Sequence, residues 1–319
     1  METMKAVVIR QACRAEDLQV SRVPVPKVKS GWVRVKIKAF GLNRAEIFTR
    51  NGLSPAVHWP RIIGIECVGV VDDASDSGLQ AGQPVMSMMG GLGRDFDGSY
   101  AEYALIPAAQ VYPVQSRLDW PLLAAVPEMY YTAYASLFQR LQLAAGETLL
   151  IRGGTSSVGL AALQLAKASG ARVITTTRDA AKSAHLYALG ADEVLADTGR
   201  LKPVRADKVL ELVGAATLKD SLQTLGEGGI CCMSGILGGW VLEHFEPMSD
   251  IPQGALLTGF DSTEIRPAVL AQMLAFIEQH GLQPPLAARF ALDDIAAAHA
   301  QMESNRSNGK IVIVNPEGL

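Results

Sequence analysis

Seven residues between two apolar runs could bind a phosphate group. They read GGTSSVG, from Gly153 to Gly159, and connect the strand-like run TLLIRG to the helical run SVGLAALQLAKAS, sharing residues with both. Against the pattern G-x-G-x-x-G, Gly154 and Gly159 fill the first and third places, whereas Ser156 stands at the second, where backbone approaches a pyrophosphate. N–H groups at a helix start favour an anion, and a serine hydroxyl can also donate to phosphate. The turn, with Ser157 and Val158, predicts a dinucleotide site; a tight turn without ligand is the alternative.

The residues after the next buried run bear on which dinucleotide would bind. ARVITTT ends in Thr177-Arg178-Asp179, and Lys182 follows one turn later. Sites that prefer NAD place a carboxylate about 20 residues beyond the glycine-rich turn. Two cations here favour the 2′-phosphate of NADPH through charge-assisted hydrogen bonds. Alternatively, Arg178 and Lys182 are solvent-exposed residues at the start of a helix. Asp179 is either the N-cap of that helix or a carboxylate that weakens the positive potential of the two cations.

Two patterns of elements surround these residues. Short strand-like runs bounded by turn signals fill Met4 to about Pro113, and the run VRVKIKAF alternates between apolar and cationic side chains. From about Asp119 to Gly259, buried apolar strands alternate with helices, which is typical of a parallel, doubly wound sheet. We expect an α/β protein of two domains, with the C-terminal run GKIVIVNP returning to the first.

Composition narrows the class of protein. The chain has 319 residues, a net charge of -3 and 49% hydrophobic residues, as expected of a soluble enzyme. No basic field favours nucleic acid, and no stretch of 18 apolar residues or signal-peptide core occurs, so we expect a cytoplasmic protein without a membrane partner. Four scattered cysteines predict free thiols.

Several segments together carry a resemblance to a known family. AFGLNRAEIFTRNG, IIGIECVGVV, AAVPEMYYTAYASL and GKIVIVNP occur in an order similar to that of the medium-chain dehydrogenase/reductase superfamily. The chain resembles its zinc-independent quinone oxidoreductase branch, which includes zeta-crystallin. This resemblance implies a GroES-like catalytic domain from residues 1–118 and 260–319, a Rossmann NADPH-binding domain from residues 119–259, and a cofactor cleft where they meet.

The resemblance also implies that no metal takes part. Zinc-dependent relatives use a cysteine in GxCxxD, a histidine in GHE and a further cysteine or acidic residue. The matching positions here are Asn43, Ile65 and Glu128. An amide and an isoleucine cannot replace a thiolate and an imidazole as tight zinc ligands.

Candidate site residues follow from the same comparison. Asn43 is expected to orient the substrate, although it could instead satisfy the backbone of a turn. Phe48 replaces a tyrosine found in many relatives, so the usual phenolic donor is missing. Tyr130 is the preferred substitute as proton donor, with Tyr131 as the alternative. Thr132 is also expected to help hold the cofactor. Gly214 and Gly235 end successive strands of the predicted parallel sheet, whose carboxyl ends bind ligands, so both are expected beside the nicotinamide; simple tight turns are the alternative at these two glycines.

These features predict an NADPH-dependent reductase of quinones or α,β-unsaturated carbonyls that acts by hydride transfer. One alternative is an enoyl-thioester reductase, and another is a non-enzymatic NADPH-binding protein of crystallin-like or RNA-binding type. Relatives pair through strands of the Rossmann domain, which makes Val241–Phe260 the candidate segment for a homodimer. The natural substrate is not encoded in any single readable motif.

Overall fold

The computed structural model describes residues 2–54 and 57–318. In chain order the strands are β1 (Thr3–Ile9), β2 (Val20–Pro24), β3 (Trp32–Gly41), β4 (Arg61–Ile62), β5 (Glu66–Asp73), β6 (Pro84–Met88), β7 (Tyr103–Pro107), β8 (Tyr112–Pro113), β9 (Thr148–Arg152), β10 (Arg172–Thr177), β11 (Glu193–Ala196), β12 (Ala206–Glu211), β13 (Leu225–Met233), β14 (Leu256–Gly259), β15 (Leu286–Ala291) and β16 (Lys310–Val314). The α-helices are α1 (Arg44–Arg50), α2 (Trp120–Leu123), α3 (Pro127–Tyr134), α4 (Ser157–Ala168), α5 (Ser183–Ala188), α6 (Leu218–Leu222), α7 (Pro247–Asp250), α8 (Pro267–His280) and α9 (Ile295–Glu303).

The chain forms two compact units. The first contains the residues up to Glu128, Thr263–Leu274 and the residues from Gln283 onward, and the second contains Met129–Ser262 and Ala275–Leu282. Among the residues that the structure describes, no helix is long and apolar enough to span a bilayer.

The first unit is built on a largely antiparallel sheet. Its strands run in the order β15-β16-β3-β5-β6-β8, and β7 also pairs with β3. The alternation predicted for β3 is confirmed, because Val33, Val35 and Ile37 are buried while Arg34 and Lys36 between them are partly exposed. Strand β16 pairs antiparallel with the end of β3. The C-terminal run thus returns to this sheet.

The second unit is a doubly wound parallel sheet, which confirms the predicted fold class. Strands run in the order β11-β10-β9-β12-β13-β14, and each neighbouring pair is parallel. Numbered within the sheet this is 3-2-1-4-5-6, so the strand order reverses between β9 and β12. Ligands of such sheets bind at the carboxyl ends of the strands beside that reversal. The predicted cofactor residues around Gly154 and Gly214 follow those two strands.

Candidate functional site

The glycine-rich turn (Gly153–Gly159) connects β9 to α4. Gly153 has a φ of +87°, in the region that favours glycine. Ser156 caps α4, since its Oγ accepts the N–H of Gly159 at 3.1 Å and donates to the carbonyl of Gly153 at 2.8 Å. The serine hydroxyl is therefore used by the turn itself. Ser157 and Val158 begin the helix, where N–H groups have no intrahelical acceptor and can bind an anion.

Packing explains the two remaining glycines of the pattern. A Cβ atom on Gly154 would lie 1.7 Å from Oγ1 of Thr175, and one on Gly159 would lie 2.6 Å from the carbonyl oxygen of Gly153. Neither position can carry a side chain without moving its neighbours. The turn thus keeps its strand and helix in close contact although its second glycine is a serine.

A buried arginine holds the start of this turn in place. Arg152, the last residue of β9, is 0% exposed. Its Nε and Nη2 bind both carboxylate oxygens of Asp197 at 2.6 and 2.9 Å, and its Nη1 binds Asp220 at 2.6 Å. Oγ1 of Thr176 donates to Asp197 and accepts the N–H of Gly153 at 3.0 Å. The first N–H of the turn is thereby connected to the Arg152 ion pairs.

The residues predicted to choose between NADPH and NADH lie at the end of β10. Thr177 is buried, and its Oγ1 accepts the N–H of Asp179 at 3.1 Å. Asp179 caps the short 3-10 turn that follows by accepting the N–H of Ala181 at 3.0 Å. Arg178 is exposed and Lys182 is half-buried. One of the two roles considered for Asp179, the N-cap, is thus observed.

A buried carboxylate organises the loop after β12. Glu211 accepts the N–H groups of Val213 at 2.7 Å and Gly214 at 3.0 Å, and the Thr217 hydroxyl at 3.0 Å. Burial raises the pKa of Glu211, and these hydrogen bonds oppose the shift. Gly214 has a φ of +99°, and a Cβ on Gly235 would lie 1.9 Å from the carbonyl oxygen of Leu212. Both predicted glycines are therefore required by the local backbone, whatever they contact.

The tyrosine predicted as proton donor lies on α3. Tyr130 is 0% exposed, and its hydroxyl donates to the side-chain carbonyl of Gln164 on α4. Burial raises the pKa of this phenol above its usual value. Tyr131 is equally buried, and Thr132 is 6% exposed. The role of Tyr130 in proton transfer stays a prediction.

In the first unit, three polar side chains form the Asn43 cluster (Asn43, Glu66 and Lys310). Asn43 Nδ2 donates to Glu66 Oε1 at 2.8 Å, and Lys310 Nζ donates to Asn43 Oδ1 at 2.6 Å. Lys310 and Glu66 also form an ion pair at 2.8 Å, with both side chains at most 1% exposed. The other oxygen of Glu66 accepts the N–H of Glu128 at 2.7 Å. Asn43 is 9% exposed, the largest exposure in the cluster.

A second buried series, the His299 chain (Arg50, His299, Tyr100 and Glu46), supports the same segment. Arg50 Nη1 lies 2.9 Å from His299 Nδ1, and His299 Nε2 lies 2.7 Å from the Tyr100 hydroxyl. Arginine can only donate, so Nδ1 accepts and the proton of the neutral imidazole is on Nε2. Tyr100 in turn donates to Glu46 Oε2 at 2.9 Å. The chain of donors thus ends on a carboxylate.

Glu46 connects the two backbone segments that match the zinc-binding segments of relatives. Its oxygens accept the N–H of Asn43 at 2.8 Å and the N–H of Ile65 at 3.0 Å. Burial raises the pKa of Glu46 to about 7, opposed by these two hydrogen bonds. Burial also lowers the pKa of His299 to about 3, and the Arg50 charge adds to that shift. Phe48, at the position of the missing tyrosine, is half-buried on α1.

Comparisons with known proteins agree with this architecture. The family profile described as "Alcohol dehydrogenase GroES-like domain" matches residues 29–116, and the one described as "Zinc-binding dehydrogenase" matches residues 189–313. The quinone oxidoreductase of Homo sapiens is 28% identical over 326 positions, with 98% of each chain covered. The chain belongs to the medium-chain dehydrogenase/reductase superfamily, in its quinone oxidoreductase branch. It is therefore an oxidoreductase.

Solved structures of other proteins share the fold over 98% of the chain. A protein described as an NAD-dependent alcohol dehydrogenase is 28% identical, with a TM-score of 0.85 and 98% of this chain and 99% of that chain covered. A mycobacterial protein solved in complex with NADPH is 24% identical, with a TM-score of 0.83 and the same coverage. The glycine-rich turn of the present chain, with the free N–H groups of its helix N-terminus, fits the pyrophosphate of a dinucleotide.

The donor set of this medium-chain oxidoreductase does not fit a catalytic zinc ion. The resemblance matches Asn43, Ile65 and Glu128 to the zinc ligands of metal-dependent relatives, and the neighbouring Glu66 is bound by Lys310. Across residues 2–54 and 57–318, no three His, Cys, Asp or Glu side chains are grouped so that they could hold a metal. An amide, an aliphatic side chain and an ion-paired carboxylate make a poor zinc site.

The residues predicted around the dinucleotide belong to the second unit, and the structure adds others that the sequence did not suggest. Apart from Thr132 on α3, the predicted residues lie at or shortly after the carboxyl ends of β9, β10, β12 and β13, whereas Asn43 belongs to the first unit. Arg152, Glu211 and Lys310 were not predicted. Each is a charged residue at the end or start of a buried strand, a position where a partner is required. That signal was present in the sequence, but it does not identify the partner.

Proposed function

We propose that this oxidoreductase reduces quinones or α,β-unsaturated carbonyls with NADPH. The Asn43 cluster carries the proposal, because a hydrogen-bonding amide supported by an ion pair occupies the segments that bind zinc in metal-dependent relatives. A conjugated acceptor is already electrophilic and can react without a Lewis acid, unlike a simple alcohol. When bound, the nicotinamide supplies the hydride. The similarity to quinone oxidoreductases over 98% of the chain supports the same substrate class.

The residues of the chain then have distinct tasks. Asn43 orients the acceptor and donates through Nδ2 to the oxygen on which negative charge develops. The N–H groups of Ser157 and Val158 bind the pyrophosphate. The remaining predicted cofactor contacts border the dinucleotide: Thr132, Gly154, Ser156, Gly159, Thr177, Gly214 and Gly235. Tyr130 remains the proposed proton donor, and solvent is the other source of that proton.

NADPH preference is assigned to Arg178 and Lys182. Both lie just after β10, and the first is exposed. Similar proteins include one described as NAD-dependent and one solved with NADPH, so steady-state kinetics with both cofactors must decide between NADH and NADPH.

We expect kcat/KM to favour NADPH over NADH by about tenfold to several hundredfold. A double R178A/K182A variant should lose this preference by a rise in the KM for NADPH, with the NADH values unchanged. D179N, which keeps a capping oxygen, should increase the preference.

The acceptor class is tested with a panel of quinones, enones and enoyl-thioesters under NADPH oxidation. Turnover of quinones or enones supports the proposal. Turnover restricted to enoyl-thioesters would assign the protein to thioester reduction. NADPH binding without turnover of any acceptor would favour the non-enzymatic alternative.

The proposed partner of the chain is a second copy of itself. Strand β14 is the edge of the parallel sheet. Large apolar side chains in or next to the segment Val241–Phe260 are exposed, including Trp240 at 71%, Val241 at 77%, Met248 at 96% and Leu256 at 58%. Pairing through Val241–Phe260 would cover this edge. Analytical ultracentrifugation should give a dimer that an L256K variant converts to monomer, and a monomeric wild type would contradict this.

A further inference from the structure

The orientation of the Asn43 amide is determined by its two buried charged neighbours. Lysine can only donate and a carboxylate can only accept, so Oδ1 must face Lys310 and Nδ2 must face Glu66. The observed distances, 2.6 Å to Lys310 and 2.8 Å to Glu66, match that assignment. A flipped amide would set oxygen against oxygen and nitrogen against nitrogen. The pair therefore selects one of the two amide orientations.

The protein backbone makes room for this arrangement. A Cβ on Gly41 would lie 2.3 Å from Cε of Lys310 and 2.4 Å from Oε1 of Glu66. Lys310 is 1% exposed and Glu66 is 0% exposed, so neither can be the group that meets a substrate. Asn43 is the member of the cluster with exposed surface.

We propose that Lys310, acting with Glu66, is a positioning residue that makes Asn43 present an N–H rather than a carbonyl oxygen to the acceptor. This inference rests on the proposed function. Nδ2 carries two hydrogens, and Glu66 takes one of them. The second hydrogen is the donor to the acceptor oxygen. The Lys310 ammonium also withdraws electron density through Oδ1, which strengthens that donor.

The test compares K310M with wild type in steady-state kinetics on a quinone or enone that the wild type reduces. We expect kcat and kcat/KM for the acceptor to fall together by about 10- to 100-fold, with the KM for NADPH unchanged. N43D, which keeps an oxygen for Lys310 but has no N–H, should lose about 100-fold, as for removal of one oxyanion donor. In an N43A background, K310M should cause no further loss, because its effect acts through Asn43.

Two further variants separate positioning from stability. K310M leaves Glu66 as an unpaired buried charge, so K310M/E66Q removes both charges and should fold while keeping the kinetic defect. K208M is the matched control, since Lys208 is also buried, at 8% exposure, and pairs with Glu147 at 3.6 Å in the second unit. Its kcat should stay at the wild-type value. Each variant is assayed below its own melting temperature.

The outcomes are distinct. Wild-type kcat in folded K310M/E66Q, or additive losses from K310M and N43A, would overturn the positioning role and leave the proposed function standing. Failure of the wild type to reduce any acceptor would overturn the proposed function and the inference with it.

Discussion

Replacing His299 with glutamine should remove a specific component of the pH dependence of stability. His299 is 0% exposed, and Arg50 donates to its Nδ1, so the folded protein keeps the imidazole neutral. Its pKa falls from 6.5 to about 3 on folding. Below pH 6.5 the unfolded chain therefore takes up a proton that the folded protein does not. The contribution to stability is complete above pH 6.5 and is lost progressively as the pH falls towards 3.

The magnitude follows from the shift. At 1.36 kcal/mol per pH unit, lowering the pH from 6.5 to 5 costs the wild type about 2 kcal/mol through this group. H299Q has no such proton to take up. The free energy of unfolding of wild type minus that of H299Q should thus decrease by about 2 kcal/mol between pH 7.5 and pH 5. Glu46 titrates in both proteins, so its contribution cancels in the difference.

Urea denaturation at half-unit pH intervals measures the free energy of unfolding of wild type and of H299Q. The two values are compared where both proteins have the same m-value. A constant difference between wild type and H299Q would show that folded His299 accepts a proton over this range. That result would refute the proton assignment in the His299 chain.

Three further substitutions test the turn and the tyrosine. G154A should lower the free energy of unfolding, measured in urea, by about 1–3 kcal/mol, because its Cβ meets Thr175 Oγ1. G226A is the control and should change this free energy little, because a Cβ there meets nothing within 4 Å. Equal effects of the two substitutions would contradict the packing argument. S156A should lower the melting temperature through loss of about 1 kcal/mol of helix capping, and an unchanged value would contradict the cap. Y130F should cost about 1–3 kcal/mol by removing the buried hydrogen bond from the Tyr130 hydroxyl to Gln164. An accompanying hundredfold fall in kcat would establish the tyrosine as the proton donor, and wild-type kcat would assign that role to solvent.

The sequence predicts the parts of this protein whose signal is local. Alternation in β3, the buried parallel strands and the glycine-rich turn each depend on neighbouring residues, and the structure confirms the sheet types they indicate. The separation of helices α2 and α3 also has a local cause, because Pro127 at the start of α3 disfavours helical backbone at the residue before it.

Partners at long range could not be predicted in the same way. Lys310 and Asn43 are 267 residues apart in the chain, and nothing in either segment encodes that β16 pairs with the end of β3. Ser156 shows a different limit. Its residue type allows both a phosphate contact and a helix cap, and only the backbone geometry shows that its hydroxyl is used by the cap.

The most direct test of the proposed function is the rate of NADPH oxidation on a quinone or enone before and after removal of metal ions by a chelator. The predicted result is turnover that is unchanged by chelation and unchanged by added zinc, since the Asn43 cluster provides the donor. Loss of activity on chelation that zinc alone restores would contradict the proposal, because it would require a metal site that Asn43, Ile65 and Glu128 do not provide.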